Sequence, residues 1–130
     1  MLKKKIKLLV LDDERDICEF VKGLFRKKGF SVSSALSGNE AIRKIKKIKP
    51  DIALLDIYLK KGLDGIKTLK KIREISPLCR CVMVTWDSAA SKIKEAKKMG
   101  AVSYLVKPIT ITELLRVVYR AVSGIRKRGK

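Results

Sequence analysis

Five polar residues each follow a short apolar run, and their types are those that phosphoryl chemistry requires. They are Asp12, Asp13, Asp56, Thr85 and Lys107. Three carboxylates without a histidine or thiol form the hard oxygen site that Mg²⁺ prefers, and the cation offsets the repulsion between them. Asp56 could then act as a nucleophile and form an acyl phosphate. The Thr85 hydroxyl and the Lys107 ammonium would each hold one phosphoryl oxygen.

The same residues fit the acceptance of a phosphoryl group better than hydrolysis. Beyond the carboxylates there is no apparent general base to activate a water molecule. A phosphohydrolase with an aspartate nucleophile is a weaker hypothesis, because Tyr58 stands two residues after Asp56 where a second acid would be needed. We therefore expect no enzyme activity beyond the chain's own phosphoryl transfer and slow autodephosphorylation.

Apolar runs place these polar residues at one edge of a predicted sheet. Ile52–Leu55 is apolar throughout and bounded by turn residues, which is typical of a parallel strand buried on both faces. Parallel strands bring their carboxyl ends to one edge, where open α/β sheets bind ligands. The predicted strands are Ile6–Leu11, the weaker Phe30–Ser34, Ile52–Leu55, Cys81–Val84 and Val102–Val106.

Apolar residues at helical spacing follow every strand and predict five helices. Ser37 is the expected cap of the second helix, and Glu40 completes a capping-box pattern. Five strand–helix units with short connections predict an α/β fold, a single (βα)5 doubly wound parallel sheet. The residues predicted to face the core are Ile17, Phe20, Val21, Leu24 and Phe25; Ala41, Ile42, Ile45 and Ile48; Ile66, Leu69, Ile72 and Ile75; Ala89, Ile93 and Ala96; and Ile111, Leu114, Leu115, Val118, Ala121, Val122 and Ile125.

Length and composition indicate one globular domain. The chain has 130 residues, 46% of them hydrophobic, which is enough to bury a core. Residues 1–123 are predicted to form the domain, and residues 124–130 a basic C-terminal tail or the start of a linker. No apolar run approaches the ~20 residues of a membrane span, so a cytoplasmic location is expected. The odd count of three cysteines, Cys18, Cys79 and Cys81, favours reduced thiols.

Five fragments, in this order and spacing, resemble the receiver domain of two-component response regulators of the chemotaxis type. The resemblance covers residue 5 to about residue 123 and implies a flavodoxin-like fold with strand order 2-1-3-4-5. The fragments are Leu11-Asp12-Asp13-Glu14, Leu55-Asp56-Ile57-Tyr58-Leu59, Asp64-Gly65-Ile66, Val84-Thr85 and Lys107-Pro108.

The resemblance implies roles for individual residues. Asp56 would be phosphorylated, and Asp13, Asp56 and the backbone carbonyl of Tyr58 would bind Mg²⁺ directly, with Asp12 acting through water. Thr85 and Tyr104 would form the switch pair, in which the hydroxyl moves to the phosphoryl group and the ring rotates inward. The bond before Pro108 would be cis.

The resemblance also implies partners for the chain. The phosphoryl donor would be a sensor histidine kinase or a histidine phosphotransfer protein. The switch would change the surface formed by the fourth helix, fifth strand and fifth helix. That surface would be bound by an effector protein, by an output domain after Lys130, or by a second copy of the phosphorylated chain.

Three features depart from the family pattern. Trp86 follows Thr85 where a small residue is usual, so its ring either narrows access to Asp56 or points to solvent. Lys60 replaces a common proline, in a loop from Asp56 to Gly65 that is about one residue longer than usual. Asp87 either caps the fourth helix, which we favour, or affects how water reaches the acyl phosphate.

The chain is strongly basic, with 32 Lys and Arg against 13 Asp and Glu and a formal charge of +19. The densest basic run, residues 43–49, is most simply a solvated helix face. A basic domain nevertheless attracts polyanions. The alternative function is therefore a receiver-like binding module in which the phosphoryl chemistry is inactive. Such a module would bind nucleic acid, without sequence specificity, or an acidic partner.

Overall fold

A five-stranded parallel sheet forms the centre of the molecule. The structure, a computed structural model, describes the backbone of residues 4–128 and the side chains of residues 4–125. The strands lie in the order β2-β1-β3-β4-β5, and every neighbouring pair is parallel. This confirms the predicted α/β fold and its flavodoxin-like strand order. The strands are β1 Lys7–Leu11, β2 Ser31–Ala35, β3 Ile52–Leu55, β4 Arg80–Thr85 and β5 Ser103–Val106.

A helix follows each strand, as predicted. Ser37 caps the second helix by accepting a hydrogen bond from the Glu40 amide at 3.2 Å, and the Glu40 carboxylate accepts one from the Leu36 amide at 2.8 Å. The last helix continues into residues 124–128, where a tail or linker is predicted, while residues 129 and 130 lie outside the described part of the chain. The helices are α1 Arg15–Lys27, α2 Gly38–Ile48, α3 Gly65–Ile75, α4 Ala90–Lys98 and α5 Ile111–Arg128.

Each face of the sheet has its own apolar core, because side chains alternate along a strand. Leu8 and Val10 of β1 pack with residues of α1 and α5. Leu9 and Leu11 pack with residues of α2, α3 and α4 on the other face. Fully burying one such side chain stabilises the fold by about 1.5–3 kcal/mol. The two cores hold the strand ends in fixed positions relative to one another.

Four residues predicted to face the core are exposed instead: Phe20, Ile75, Ala89 and Ile111. Ala89 is the N-cap residue of α4 and lies before its first turn. Phe20 is 51% exposed, whereas Cys18 is 1% exposed, so the buried stripe of α1 is rotated toward Cys18. Ile75 and Ile111 are also exposed; they are the last residue of α3 and the first of α5, where no further helical turn covers them.

The cysteines are free and buried, in agreement with the predicted reduced thiols. Within residues 4–128, no helix combines the length and the apolar character needed to cross a membrane.

Candidate functional site

The sheet register brings the predicted acidic residues to adjacent strand ends. Leu11 of β1 is paired with Leu55 of β3, so Asp12 and Asp56 follow side by side. The Asp56 amide donates to the Leu11 carbonyl at 3.1 Å. On the other side of β3, the Lys107 amide donates to the Thr85 carbonyl at 2.7 Å. Residues more than 90 positions apart in sequence thus meet at one edge.

Lys107 joins two of the carboxylates. Its Nζ lies 2.8 Å from Asp12 Oδ2 and 3.1 Å from Asp56 Oδ2. Both aspartates are buried, at 3% and 7% exposure. Burial alone would lower the pKa of Lys107, but the hydrogen bond that Lys107 donates to Asp12 and the charges of both carboxylates outweigh it, so the pKa lies above its usual value. Lys107 is therefore a fixed positive charge beside Asp56.

A crevice of about 310 Å³ opens above Asp56. The half-buried Asp13 lies on its wall, and its Oδ2 accepts a hydrogen bond from the Lys60 amide at 2.8 Å. Asp56 Oδ1 accepts one from the Tyr58 amide at 3.3 Å. The crevice is lined by Asp13, Glu14, Asp56, Tyr58, Leu59, Lys60, Trp86 and Lys107. The phosphoacceptor predicted from the sequence is thus reachable from outside the protein.

The donor set fits a hard divalent cation. Asp12, Asp13 and Asp56 offer carboxylate oxygens and Tyr58 a backbone carbonyl, the ligand types that Mg²⁺ takes. In the part of the chain that the structure describes, however, no three acidic, histidine or cysteine side chains are gathered as a metal-binding group. Lys107 and the Lys60 amide hold the carboxylate oxygens instead.

Thr85 lies beneath the crevice and does not line it. It is fully buried, and among the described residues the partner of its hydroxyl is the Asp87 amide, 3.5 Å away. The structure therefore brings Asp12, Asp56 and Lys107 into direct contact, and it leaves the Thr85 hydroxyl bonded to its own loop.

Tyr104, the other predicted switch residue, lies on β5 and packs against the core on the α4 side of the sheet. Its hydroxyl donates to the Asp87 carbonyl at 2.7 Å. Burial, followed by the nearby charge of Asp87, raises the pKa of Tyr104 to about 12. Tyr104 and Thr85 are thus linked through one residue, Asp87.

Sequence reasoning missed a contact between the two loops beside the crevice. The Tyr58 hydroxyl donates to Asp87 Oδ2, while Asp87 Oδ1 accepts from the Ala89 amide at 2.8 Å. The predicted capping role of Asp87 is wrong, because Ala89 is the N-cap residue of α4 and no side chain caps that helix. The bond from the Ala89 amide to Asp87 closes a turn before the helix instead. A sequence signal did exist: Tyr58 and Asp87 stand two residues after Asp56 and Thr85, at the ends of neighbouring strands.

Two further predictions concern the loops. The Lys107–Pro108 bond is cis, which confirms the prediction. Trp86 is 64% exposed and also lines the crevice. It therefore faces solvent and borders the access to Asp56, the two placements predicted for its ring.

Residues 8–119 match the family described as the response regulator receiver domain. Solved structures are similar over almost the whole chain. A CheY-like receiver domain protein from Methanospirillum hungatei is 25% identical with a TM-score of 0.92, over 96% of this chain and 99% of that one. The chemotaxis protein CheY4 from Vibrio cholerae is 28% identical with a TM-score of 0.84, over 91% and 99%. A chain of the CheX–CheY complex with BeF3 and Mg²⁺ from Borrelia burgdorferi is 28% identical with a TM-score of 0.84, over 90% and 89%.

Proposed function

This chain belongs to the response regulator receiver domain family, and from that membership we propose that Asp56 accepts a phosphoryl group from a phosphohistidine donor. The observation that carries the proposal is the Lys107 ammonium, held 3.1 Å from Asp56 Oδ2 at the floor of an open crevice. The ammonium holds the Asp56 carboxylate, the proposed nucleophile, in place. It also attracts the negatively charged phosphoryl group.

The transfer exchanges one bond to phosphorus for another. An Asp56 carboxylate oxygen forms a bond to phosphorus while the bond from phosphorus to the donor's imidazole nitrogen breaks. The leaving nitrogen keeps the electron pair and takes a proton from solvent. Lys107 holds one phosphoryl oxygen, and the Thr85 hydroxyl donates to another.

Asp12, Asp13, Asp56 and the Tyr58 carbonyl are the groups that would hold Mg²⁺. When bound, the ion supplies positive charge that balances the carboxylates and the incoming phosphoryl oxygens. The similar Borrelia burgdorferi complex contains Mg²⁺ together with BeF3, which supports this assignment.

Thr85 and Tyr104 would transmit the effect of phosphorylation from the site to the protein surface. Phosphorylation adds roughly 1.5–2 negative charges, which attract the Thr85 hydroxyl away from the Asp87 amide. The Tyr104 ring, which already packs against the core, then moves further inward, and the surface of α4, β5 and α5 changes. Helix α4 has only one fully buried residue, Ala96, so a shift of this helix disrupts little packing.

The proposed partners are a sensor histidine kinase or histidine phosphotransfer protein as donor, and an effector protein or output domain as reader. Homodimerisation on phosphorylation is a further proposal. The three free, buried thiols support a reducing compartment such as the cytoplasm.

The direct test is incubation with acetyl phosphate and Mg²⁺, followed by intact-mass measurement. We expect one added phosphoryl group, none in Asp56→Asn, and none after the metal is removed by a chelator. Asp64→Asn is the matched control, because Asp64 caps α3 and asparagine caps helices equally well. A phosphoryl group added equally to Asp56→Asn would contradict the proposal.

The alternative function, a basic binding module without active phosphoryl chemistry, is tested with the same protein preparations. Binding to DNA that weakens as salt is raised, without any phosphoryl incorporation, would favour it. Asp56→Asn should then bind DNA as the unmodified chain does.

A further inference from the structure

Exposed lysines gather at the edge of the sheet opposite the crevice, where the strands begin. Lys5 precedes β1, Lys28 follows α1, Lys49 follows α2 and Lys98 ends α4. Among the described residues that connect one helix to the next strand, Asp51 is the only acid. Its carboxylate accepts a hydrogen bond from the first amide of β1 at 2.9 Å. This edge is therefore positively charged and attracts anions.

A cavity of about 220 Å³ opens at this edge, where the chain before β1 and the chain after α1 meet α5. Lys4, Lys5 and Lys28 line it, and no described acidic residue does. All three lysines are exposed, and the salt bridges among the described residues are made by other lysines. Three ammonium groups thus border one small cavity without a carboxylate to neutralise them in the described part of the chain.

Tyr119, on α5, adds an aromatic surface to the same cavity. It is the exposed end of a row of three rings. Its ring centre lies 6.0 Å from that of Phe30 in an edge-to-face contact, and the Phe30 ring lies 5.2 Å from the Phe25 ring in the same kind of contact. Phe25 and Phe30 are buried, whereas Tyr119 is 44% exposed. The buried rings hold the Tyr119 ring in one orientation, and its exposed part is available to a planar ligand.

We propose that this cavity binds a nucleotide, with the base stacked on Tyr119 and the phosphate held by Lys4, Lys5 and Lys28. An aromatic ring beside several ammonium groups suits a ligand that carries both a planar ring and phosphate oxygens. The base must be unpaired, because the bases of a duplex are stacked inside the helix. The nucleotide is therefore either free or part of a single strand. The proposal does not rest on phosphoryl transfer, since the cavity and Asp56 lie at opposite edges of the sheet.

The test must separate stacking from charge, because a protein with a charge of +19 attracts any polyanion. The probes are an oligothymidylate, which is an unstructured single strand, and the duplex that it forms with its complement. Their binding is measured by fluorescence anisotropy at physiological salt. We expect Tyr119→Leu to weaken binding of the single strand by about fivefold or more, the low end of the range for one stacked base, and to leave binding of the duplex unchanged. Tyr119→Phe keeps the ring and should bind the single strand as the unmodified chain does.

A pair of lysine variants tests the phosphate contacts without touching the aromatic row. Lys28→Gln and Lys71→Gln each remove one exposed positive charge, but Lys71 lies on α3, which packs on the other face of the sheet. Lys28→Gln should lower the slope of log affinity against log salt by about 0.7, the value of one phosphate contact on a single strand. Lys71→Gln should leave the slope nearly unchanged. Equal effects of the two variants would overturn the proposal.

Titration with ATP in the absence of Mg²⁺ distinguishes the two sources of the nucleotide, with inorganic triphosphate as the probe that lacks a base. If ATP binds more tightly than triphosphate and Tyr119→Leu removes the difference, the cavity takes a free nucleotide. If only the oligothymidylate binds in a manner that depends on Tyr119, the ligand is single-stranded nucleic acid. Asp56→Asn should bind each probe as the unmodified chain does. If neither ATP nor the single strand depends on Tyr119, charge alone accounts for binding and the proposal is overturned.

Discussion

Lys107 contacts two buried carboxylates, so its replacement tests the electrostatics of the site directly. In Lys107→Met, Asp12 and Asp56 would face each other without their cation. Removing one partner of a buried ion pair leaves an uncompensated charge, and we expect a loss of about 2–4 kcal/mol in the free energy of unfolding at neutral pH. Urea unfolding measures it, with the exposed Lys71→Met as control. Added Mg²⁺ should restore part of the loss; equal stability of the two variants would contradict the ion-pair account.

Tyr104 should make stability depend on pH in the alkaline range. Its pKa is raised from 10.0 to about 12 in the folded protein, so the folded state keeps a proton that the unfolded state releases. The stabilisation is complete below pH 10 and is lost as the pH rises toward 12. Urea unfolding below pH 10 and between pH 10 and 12 should therefore show a decline that is smaller in Tyr104→Phe. An identical decline in both proteins would argue against the raised pKa.

At this residue scale, the sequence could predict which side chains meet but not how they pair. The type and spacing of Asp12, Asp56 and Lys107 placed them at one sheet edge. That Lys107 bonds to Asp12 and Asp56 together, or that Tyr58 bonds to Asp87, depends on loop paths and rotamers. No local pattern encodes these, because the partners come from different strands.

At the scale of elements, the approach of α3 to the end of β3 depends on one glycine. A Cβ on Gly65 would lie 1.9 Å from the Asp56 carbonyl oxygen and 2.5 Å from the Ile57 Cα. Because backbone atoms cannot yield as a flexible side chain can, Gly65→Ala should destabilise the fold by about 1–3 kcal/mol and should slow phosphorylation of Asp56 by displacing its loop.

Gly23→Ala is the control for that substitution. Gly23 lies within α1, and a Cβ there would meet nothing within 4 Å. Since alanine favours a helix interior, this variant should gain about 0.5–1 kcal/mol. Thermal unfolding compares the two, and a Gly65→Ala variant as stable as the unmodified chain would show that the loop can move away.

The pattern of apolar residues predicted the five strands to within a residue or two, together with the helix that follows each of them. It failed at Phe20, because a large apolar residue beside the buried stripe has the same spacing as a core residue. Cys18 occupies the core position of α1 instead. It failed at Ile75, Ala89 and Ile111, which lie at helix ends, because periodicity does not show where a helix passes beyond its packing partner.

At the scale of the whole molecule, the dominant property is the charge of +19. Self-repulsion of like charges destabilises a compact state, and salt screens it. We expect the thermal midpoint to rise by roughly 3–5 °C between low and physiological ionic strength, which corresponds to about 1 kcal/mol. A variant with Lys46, Lys71 and Lys97 each replaced by Glu should show a smaller rise. A midpoint independent of salt would show that self-repulsion is negligible.

The strand order has a consequence for protein synthesis. Asp12 and Asp56 are made well before Lys107, the cation that joins them in the finished sheet. A growing chain that has passed Asp56 but not β5 therefore carries the acceptor without the groups that activate it. Nascent chains on the ribosome should consequently not accept phosphoryl groups from donors until the last strand has been translated and has docked.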